Sequence, residues 1–345
     1  MSRQRLTVVL SQGQGKDPRK RSLEESIAAA LLMESGLDVS IVPYLYDLDA
    51  DHTGRLFLES VPGDMLVLGW MYPRAAFWLL DRCDIKGHYG ENLITPKAEV
   101  DDDDDEEAEE PAPPKGVGAV NVPDRWIYCL DLRDHADYTV YVQEVRRVAA
   151  ECVERRETQL KSWIQGNPTM VQLGRYMREE EPVVATPQFT SEQLMQAPQR
   201  RWYPVIDYSR CTNCMECLDF CLFGVYGVDK TDRILVEDQD NCKKGCPACS
   251  RVCPEQAIIF PDYKTPAIAG APVGNIGALK IDLTKLFGGG DAMTMAARER
   301  DRELVADGRE AVGLTVGIPK RQVDKHQEPK DDLDKLMDAL DDLDI

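Results

Sequence analysis

The sequence predicts an α/β N-terminal domain with a mostly parallel sheet, then a small α+β unit, then a largely irregular C-terminal tail. Three observations carry this reading. Strand and helix signals alternate through residues 1–165, the pattern of a parallel sheet with helices on both faces. Eight of the 11 cysteines crowd into positions 211–253 as an internal repeat. From Thr265 onward glycine, alanine and charge dominate, with Gly288-Gly289-Gly290 among them.

In the first part, Leu6–Leu10 (LTVVL) reads as a short buried strand, followed by the polar loop SQGQGKDPRKR. Ser22-Leu23-Glu24-Glu25 has the form of a capping box, in which Ser22 accepts from a first-turn N–H and Glu25 reaches back. The helix it opens places Leu23, Ile27, Ala30 and Leu31 on one stripe, and Gly36 is a good stop. Asp38–Tyr46 and Asp64–Trp70 read as the second and third strands. Pro73 opens a helix to Cys83, with Ala76, Phe77, Leu80 and Cys83 facing inward. Trp126–Leu132 is a fourth strand. Tyr138–Ile164 is a long helix with Tyr138, Tyr141, Val145, Val148, Cys152, Leu160 and Trp163 at three- and four-residue steps. Between Cys83 and Trp126 lies an acidic insertion at about 97–122, expected to be disordered, which ends in PAPPKGVG.

Residues 166–200, with Pro168, Pro182, Pro187 and Pro198, read as a linker. The cysteine unit follows at 201–264. The segment 265–345 is expected to be an extended or disordered tail, with a helix near Ala292–Asp307 and a short terminal amphipathic one. The latter gathers Leu333, Leu336, Met337, Leu340 and Leu343 on one face. It is either a docking helix or one that frays in isolation.

Composition narrows the function. The formal charge is −20. Residues 101–110 hold nine acids, and residues 328–345 hold eight acids against two lysines. So acidic a chain does not suit nucleic acid, whose phosphates require a basic face. A redox partner protein with a basic docking face is the natural complement, although the acid runs also read as solvated spacers. No window of 18 apolar residues exists, so membrane insertion is not expected. The N-terminal apolar stretch is too short for a signal peptide. The clustered cysteines therefore read as metal ligands in a reducing compartment, the cytoplasm.

The first cysteine run is Cys211, Cys214, Cys217 and Cys221, spaced C-x2-C-x2-C-x3-C. The second is Cys242, Cys246, Cys249 and Cys253, spaced C-x3-C-x2-C-x3-C and followed by Pro254. Strand-like segments precede each run (Val205–Tyr208, Ile234–Glu237) and follow it (Gly224–Asp229, Ala257–Phe260). The repeat is thus strand, cysteine loop, short helix, strand. Two four-cysteine zinc sites are one reading. Zinc sites usually pair two C-x2-C knuckles, however. A third cysteine in each loop, the terminal Cys-Pro and the repeat favour iron–sulfur ligation.

On these residues the unit resembles a bacterial-type dicluster ferredoxin, a small α+β ferredoxin-like dicluster domain holding two [4Fe–4S] clusters. In that family the fourth cysteine of each run crosses to the other cluster. The resemblance therefore implies Cys211, Cys214, Cys217 and Cys253 for one cluster, and Cys242, Cys246, Cys249 and Cys221 for the other. Two departures stand out. Cys221 is followed by Leu222 where the family has proline. The second run carries one extra residue within Lys243-Lys244-Gly245, which Gly245 can absorb. Cys242 is consequently the weakest of the eight, and its failure would leave a three-iron site. Phe220, Phe223, Tyr226, Phe260 and Tyr263 are expected to form the apolar shell. Lys243 and Lys244 read as plain exposed residues, or as charges favouring the reduced form of the second cluster.

Other signals are weaker. Ser11–Lys16 follows the first strand, where α/β proteins bind phosphates, but it lacks the complete glycine fingerprints. The α/β part resembles flavodoxin-like or chelatase-like folds in outline. Chelatases of the tetrapyrrole class carry a histidine where this chain has Ser11 or Gln12. His52, His88, His135 and His326 read as loop residues, Cys83, Cys129 and Cys152 as core thiols, and Trp70, Trp78 and Trp126 as packing. The function expected is an electron-transfer protein, or a subunit serving a partner oxidoreductase. The alternative is an oxidoreductase whose α/β domain binds a nucleotide or small substrate and is fed electrons. A redox-sensing regulator is a third reading.

Overall fold

The computed structural model describes residues 5–94, 116–164, 190, 192, 198–272 and 292–317. The acidic run 101–110, residues 166–189, 191 and 193–197 of the expected linker and the terminal segment 333–343 lie outside the described residues.

Five parallel strands form the main sheet in the order β2-β1-β3-β5-β4. They are β1 (Leu6–Ser11), β2 (Leu37–Val42), β3 (Met65–Gly69), β4 (His88–Gly90) and β5 (Trp126–Asp131). Alternate residues of β3 face opposite cores, so the strand reads as one apolar run rather than as an alternation. Leu66 and Leu68 join Val8 and Tyr128 beneath α1 (Pro18–Leu32) and α4 (Tyr138–Ile164). Met65 and Val67 join Val9 and Ile127 beneath α2 (Thr53–Ser60) and α3 (Pro73–Arg82). Helices therefore cover both faces, as the alternation of elements predicts.

Three local expectations need correction. Helix α1 starts at Pro18, not after Ser22. Asp17 caps it by accepting from the Arg19 N–H, and Pro18 supplies the preset φ of a first helical residue. Ser22 sits inside the helix. In α4, Tyr138 is exposed while Val142 is buried with Tyr141, Val145, Val148 and Cys152. Tyr138 is the first residue of the helix, in its opening turn. The acidic insertion does fall between β4 and β5, but its last residues are ordered: Gly116, Val117 and Gly118 donate backbone N–H groups to the carbonyls of Ser209, Cys211 and Tyr208. Helix α2 and edge strand β4 are short and lie outside the elements that the sequence predicts.

The cysteine-rich unit repeats strand, loop, helix, strand. Its first half contains β6 (Val205–Ile206), α5 (Glu216–Phe220) and β7 (Tyr226–Val228). Its second contains β8 (Ile234–Val236), α6 (Ala248–Val252) and β9 (Ile258–Ile259). β6 pairs antiparallel with β9, and β7 with β8, so each ladder joins the two halves or closes the hairpin between them.

This unit shares a core with the α2/α3 face of the sheet, to which Tyr203, Val205 and Ile259 contribute. Each such side chain, fully buried, is worth about 1.5–3 kcal/mol. The seam is also polar. The Tyr46 hydroxyl donates to the Tyr203 carbonyl and accepts from the Tyr203 N–H at 2.7 Å, and the Tyr203 hydroxyl donates to the Tyr46 carbonyl. Arg74 of α3 pairs with Asp207 and donates to the Gln256 carbonyl. A short helix, α7 (Pro266–Ala269), follows β9, and α8 (Ala292–Ala306) lies within the segment expected to be a tail.

Candidate functional site

Each cysteine loop is shaped by its own polar anchors. In the first, buried Asp207 accepts from the Ser209 N–H and hydroxyl, and its carbonyl accepts from the Cys211 N–H. Asn213 and Met215 both take positive φ there. Asn213 repays the strain locally: its amide bonds the Asp232 carbonyl and the Ile234 N–H, pinning the loop to β8. In the second loop Gly245 has φ of 88° and open space around it, so the extra residue of this run is absorbed where sequence predicts.

The helices decide which thiols meet. Cys217 lies within α5, and the N–H of Cys221 donates to its carbonyl. Cys249 and Cys253 repeat this on α6. Four residues apart, both side chains would share a face if the helix continued. It does not: Cys221 and Cys253 are the C-caps and have extended backbone. The chain leaves the helix there and carries the fourth thiol of each run away from the third.

Two clefts result. Cys211, Cys214, Cys217 and Cys253 line the first, with about 370 Å³ of atom-free space. Cys221, Cys242, Cys246 and Cys249 line the second, with about 330 Å³. Each thus gathers three thiols of one run and the fourth of the other. All 11 cysteines are unbridged. Among the described residues no three His, Cys, Asp or Glu side chains converge on a point fit for a single metal ion.

Burial dominates the thiol electrostatics. It pushes Cys246 and Cys253 up to about 11, and Cys217 and Cys249 well above the ordinary thiol value. Neighbouring thiols of the same cleft add to the rise: Cys253 acts on Cys217, and Cys221 on Cys249. Opposing this, N–H groups aim at sulfur. Ala257 donates to Cys253 Sγ at 3.3 Å, and the backbone of Phe223, Gly224 and Val225 favours the Cys221 thiolate. The Tyr226 hydroxyl lies 3.1 Å from Cys249 Sγ. Such thiols ionise only when a cation compensates them, and the donor set is soft and thiolate-rich.

The surroundings contain residues that sequence reasoning missed. Trp202 stacks on Phe260 and donates toward the Cys246 carbonyl at 3.3 Å. Helix α8 packs over the second cleft, where Ala296 joins Phe220, Cys246 and Val252. Its Arg300 is only 1% exposed, lies over the Phe220 ring and donates to the carbonyls of Val316 and Gly313. Lys243 is not plainly exposed, because it pairs with Asp307 at 2.6 Å, whereas Lys244 is exposed. The periodicity of 292–307 predicts the helix but carries no sign of where it docks. Phe220, Phe223, Tyr226, Phe260 and Tyr263 all pack in the unit, as expected.

The loop after β1 offers little to a nucleotide. Glu24 of α1, 1% exposed, accepts from the Gly13 N–H at 2.7 Å and from Trp70 Nε1 at 2.8 Å, and pairs with Arg21. An internal carboxylate holds the N–H that a phosphate would seek. Ser11 bridges the Pro43 carbonyl and the Leu45 N–H. His52 caps α2, accepting from the Gly54 N–H. Cys83, Cys129 and Cys152 are buried, and burial pushes each thiol up, Cys152 to about 11. Trp78 is core, whereas Trp70 is half-buried against both cores and Trp126 against the core on the other face. None of the described helices is long and apolar enough to cross a membrane.

No protein-family model matches the chain, and no solved structure matches it. Over 66 residues it is 48% identical to an uncharacterized ferredoxin of Methanocaldococcus jannaschii, covering 19% of this chain and 44% of the relative. It is 36% identical over 59 residues to pyruvate synthase subunit PorD of the same organism, covering 17% and 66%. The PorD subunit of Methanothermobacter marburgensis is 39% identical over 59 residues, covering 17% and 65%. The chain therefore spans between 44% and 66% of these relatives. On about a fifth of its length, this chain carries a ferredoxin-type domain with an iron–sulfur electron-transfer role.

Proposed function

We propose that the unit at 201–264 holds two [4Fe–4S] clusters and that the chain is an electron-transfer protein or subunit. Cys211, Cys214, Cys217 and Cys253 would hold the first cluster, and Cys242, Cys246, Cys249 and Cys221 the second. The observation that carries this is the crossed grouping of thiols around two clefts. The donor chemistry fits: four soft sulfurs per cleft, with a backbone N–H directed at Cys253 and a tyrosine hydroxyl at Cys249. When bound, such clusters supply one-electron transfer.

The chain's own residues do the rest. The two ladders hold the halves together, Asn213 and Asp207 fix the first loop, and Trp202, Phe220 and Phe260 exclude water. The partner would be an oxidoreductase of the class that the pyruvate synthase subunits belong to by name, met through a basic face. Glu24 on Gly13 argues against a nucleotide in the β1 loop, so the carrier reading stands above the enzyme reading. Oxygen-free purification with iron and sulfide counts and EPR of the reduced protein tests it. About eight irons per chain with two interacting spins is the expected result. Colourless, zinc-loaded protein would refute it.

A further inference from the structure

The two clefts are related by the repeat but differ in charge. Glu216 and Glu255 are among the residues lining the first, and no cation is among them. Lys243 and Arg300 are among those lining the second, which includes no carboxylate. A fully buried guanidinium acts through a poorly screening medium, so its charge counts for more than that of a surface lysine. The second cleft also carries the Tyr226 hydroxyl on Cys249. A cluster with four thiolates is anionic and gains another negative charge on reduction. Cations and donors beside it favour that step, and carboxylates oppose it.

Counter-charges do not cancel the contrast. Near the first cleft, Arg74 is paired with Asp207, and Arg233 lies on the Tyr208 ring and donates to the Gly118 carbonyl. Near the second, Asp301 pairs with Arg300, Asp307 with Lys243, and Glu299 with Arg251. Glu299 and, less strongly, Glu303 also act on Cys246 from outside the cleft wall. In both pairs that reach the second cleft, the cation is the member at its wall. Each pair therefore presents its positive end to the site.

We infer that the chain is electrically polarised, with the second thiol ring, walled by Lys243 and Arg300, holding an electron more strongly than the first. With both clusters bound, Lys243 and Arg300 would favour reduction at the second ring over the first. Both rings touch the sheet domain: Cys242 packs against the core that contains Tyr46 and Tyr203, and Arg74 of α3 pairs with Asp207 of the first loop. This rests on the two-cluster reading above.

The test is stepwise anaerobic reduction of the full chain, followed by EPR, after iron counting. Wild-type protein should reduce in two separated steps. Lys243→Gln and Arg300→Gln should each lower the upper step, and Glu255→Gln should raise the lower one. Each shift should be at least about tenfold in the reduced-to-oxidised ratio, about 59 mV for one electron. Lys243 is partly exposed, so its variant preserves the test if the Arg300 variant misfolds. Eight irons with one step that none of the variants moves would overturn the inference while leaving the two clusters intact. A lower step that falls in Lys243→Gln would also overturn it. Iron well below eight in the wild type would overturn the cluster reading and this inference with it.

Discussion

In the first half of the cysteine-rich unit, the loop lies under the backbone of residues 116–118, which come from the end of the acidic insertion. In the second half, the equivalent loop lies under α8, and its Cys242 abuts the core of the sheet domain. The two halves share the C-x2-C-x3-C ending, a five-residue helix and an extended C-cap cysteine, and differ by one residue between their first two cysteines. One cover precedes the unit in the chain and the other follows it. Repetition supplies the rings of thiols, and later contacts make them unequal.

The strongest way to break that comparison is to remove a crossing thiol. Cys253→Ser should empty the first cleft and leave the second, with iron falling to about half. Cys221→Ser should do the reverse. Mössbauer or EPR assignment of the surviving centre checks this. If each variant instead lost the centre of its own run, the crossed arrangement would be wrong.

Next in size is the cover of the second ring. Ala296 is fully buried beside Cys246 and Val252. Ala296→Asp would bury an unpaired carboxylate, a change whose cost is met by undocking α8. Loss of iron to a chelator should quicken several-fold at the second ring alone. Equal quickening at both rings would show that α8 supports the whole unit.

The corresponding probe of the first ring is Gly116. A side-chain carbon there would lie 2.2 Å from the Ser209 carbonyl oxygen. Gly116→Val should lift the strap and destabilise the protein by about 1–3 kcal/mol, with chelator sensitivity rising at the first ring. Denaturant midpoints and iron release measure both effects, and an unchanged first ring would reduce the strap to a bystander.

Tyr226→Phe is the smallest change. It removes one hydroxyl 3.1 Å from Cys249 Sγ. Iron content should hold, stability should fall by about 1 kcal/mol, and only the upper reduction step should drop. A shift in the lower step would place Tyr226 with the wrong ring.

The elements that sequence reads well are those with strong local period. Strands β1, β3 and β5 are continuous apolar runs because both faces are buried, and α4 shows a long stripe at helical steps. The misreadings arise where local and distant demands compete. Ser22 to Glu25 has the form of a helix start, yet Asp17 and Pro18 begin the helix one turn earlier. Glu24 is a surface residue by pattern. It is buried because Gly13 and Trp70 bring their N–H groups to it from two other elements.

By itself the sequence determined the eight thiols, their division into two loops and the parallel α/β sheet before them. Those follow from spacing within a few residues, and backbone geometry translates such spacing directly into position. Only the tertiary structure decided that Gly116 straps one ring, that Arg300 walls the other and that Tyr203 ties both to the sheet. Arg300 stands 80 residues from the Phe220 carbonyl near it, and Tyr46 stands 157 from Tyr203. Contacts over such separations leave no period in the chain. They arise from burial and charge pairing once distant segments meet.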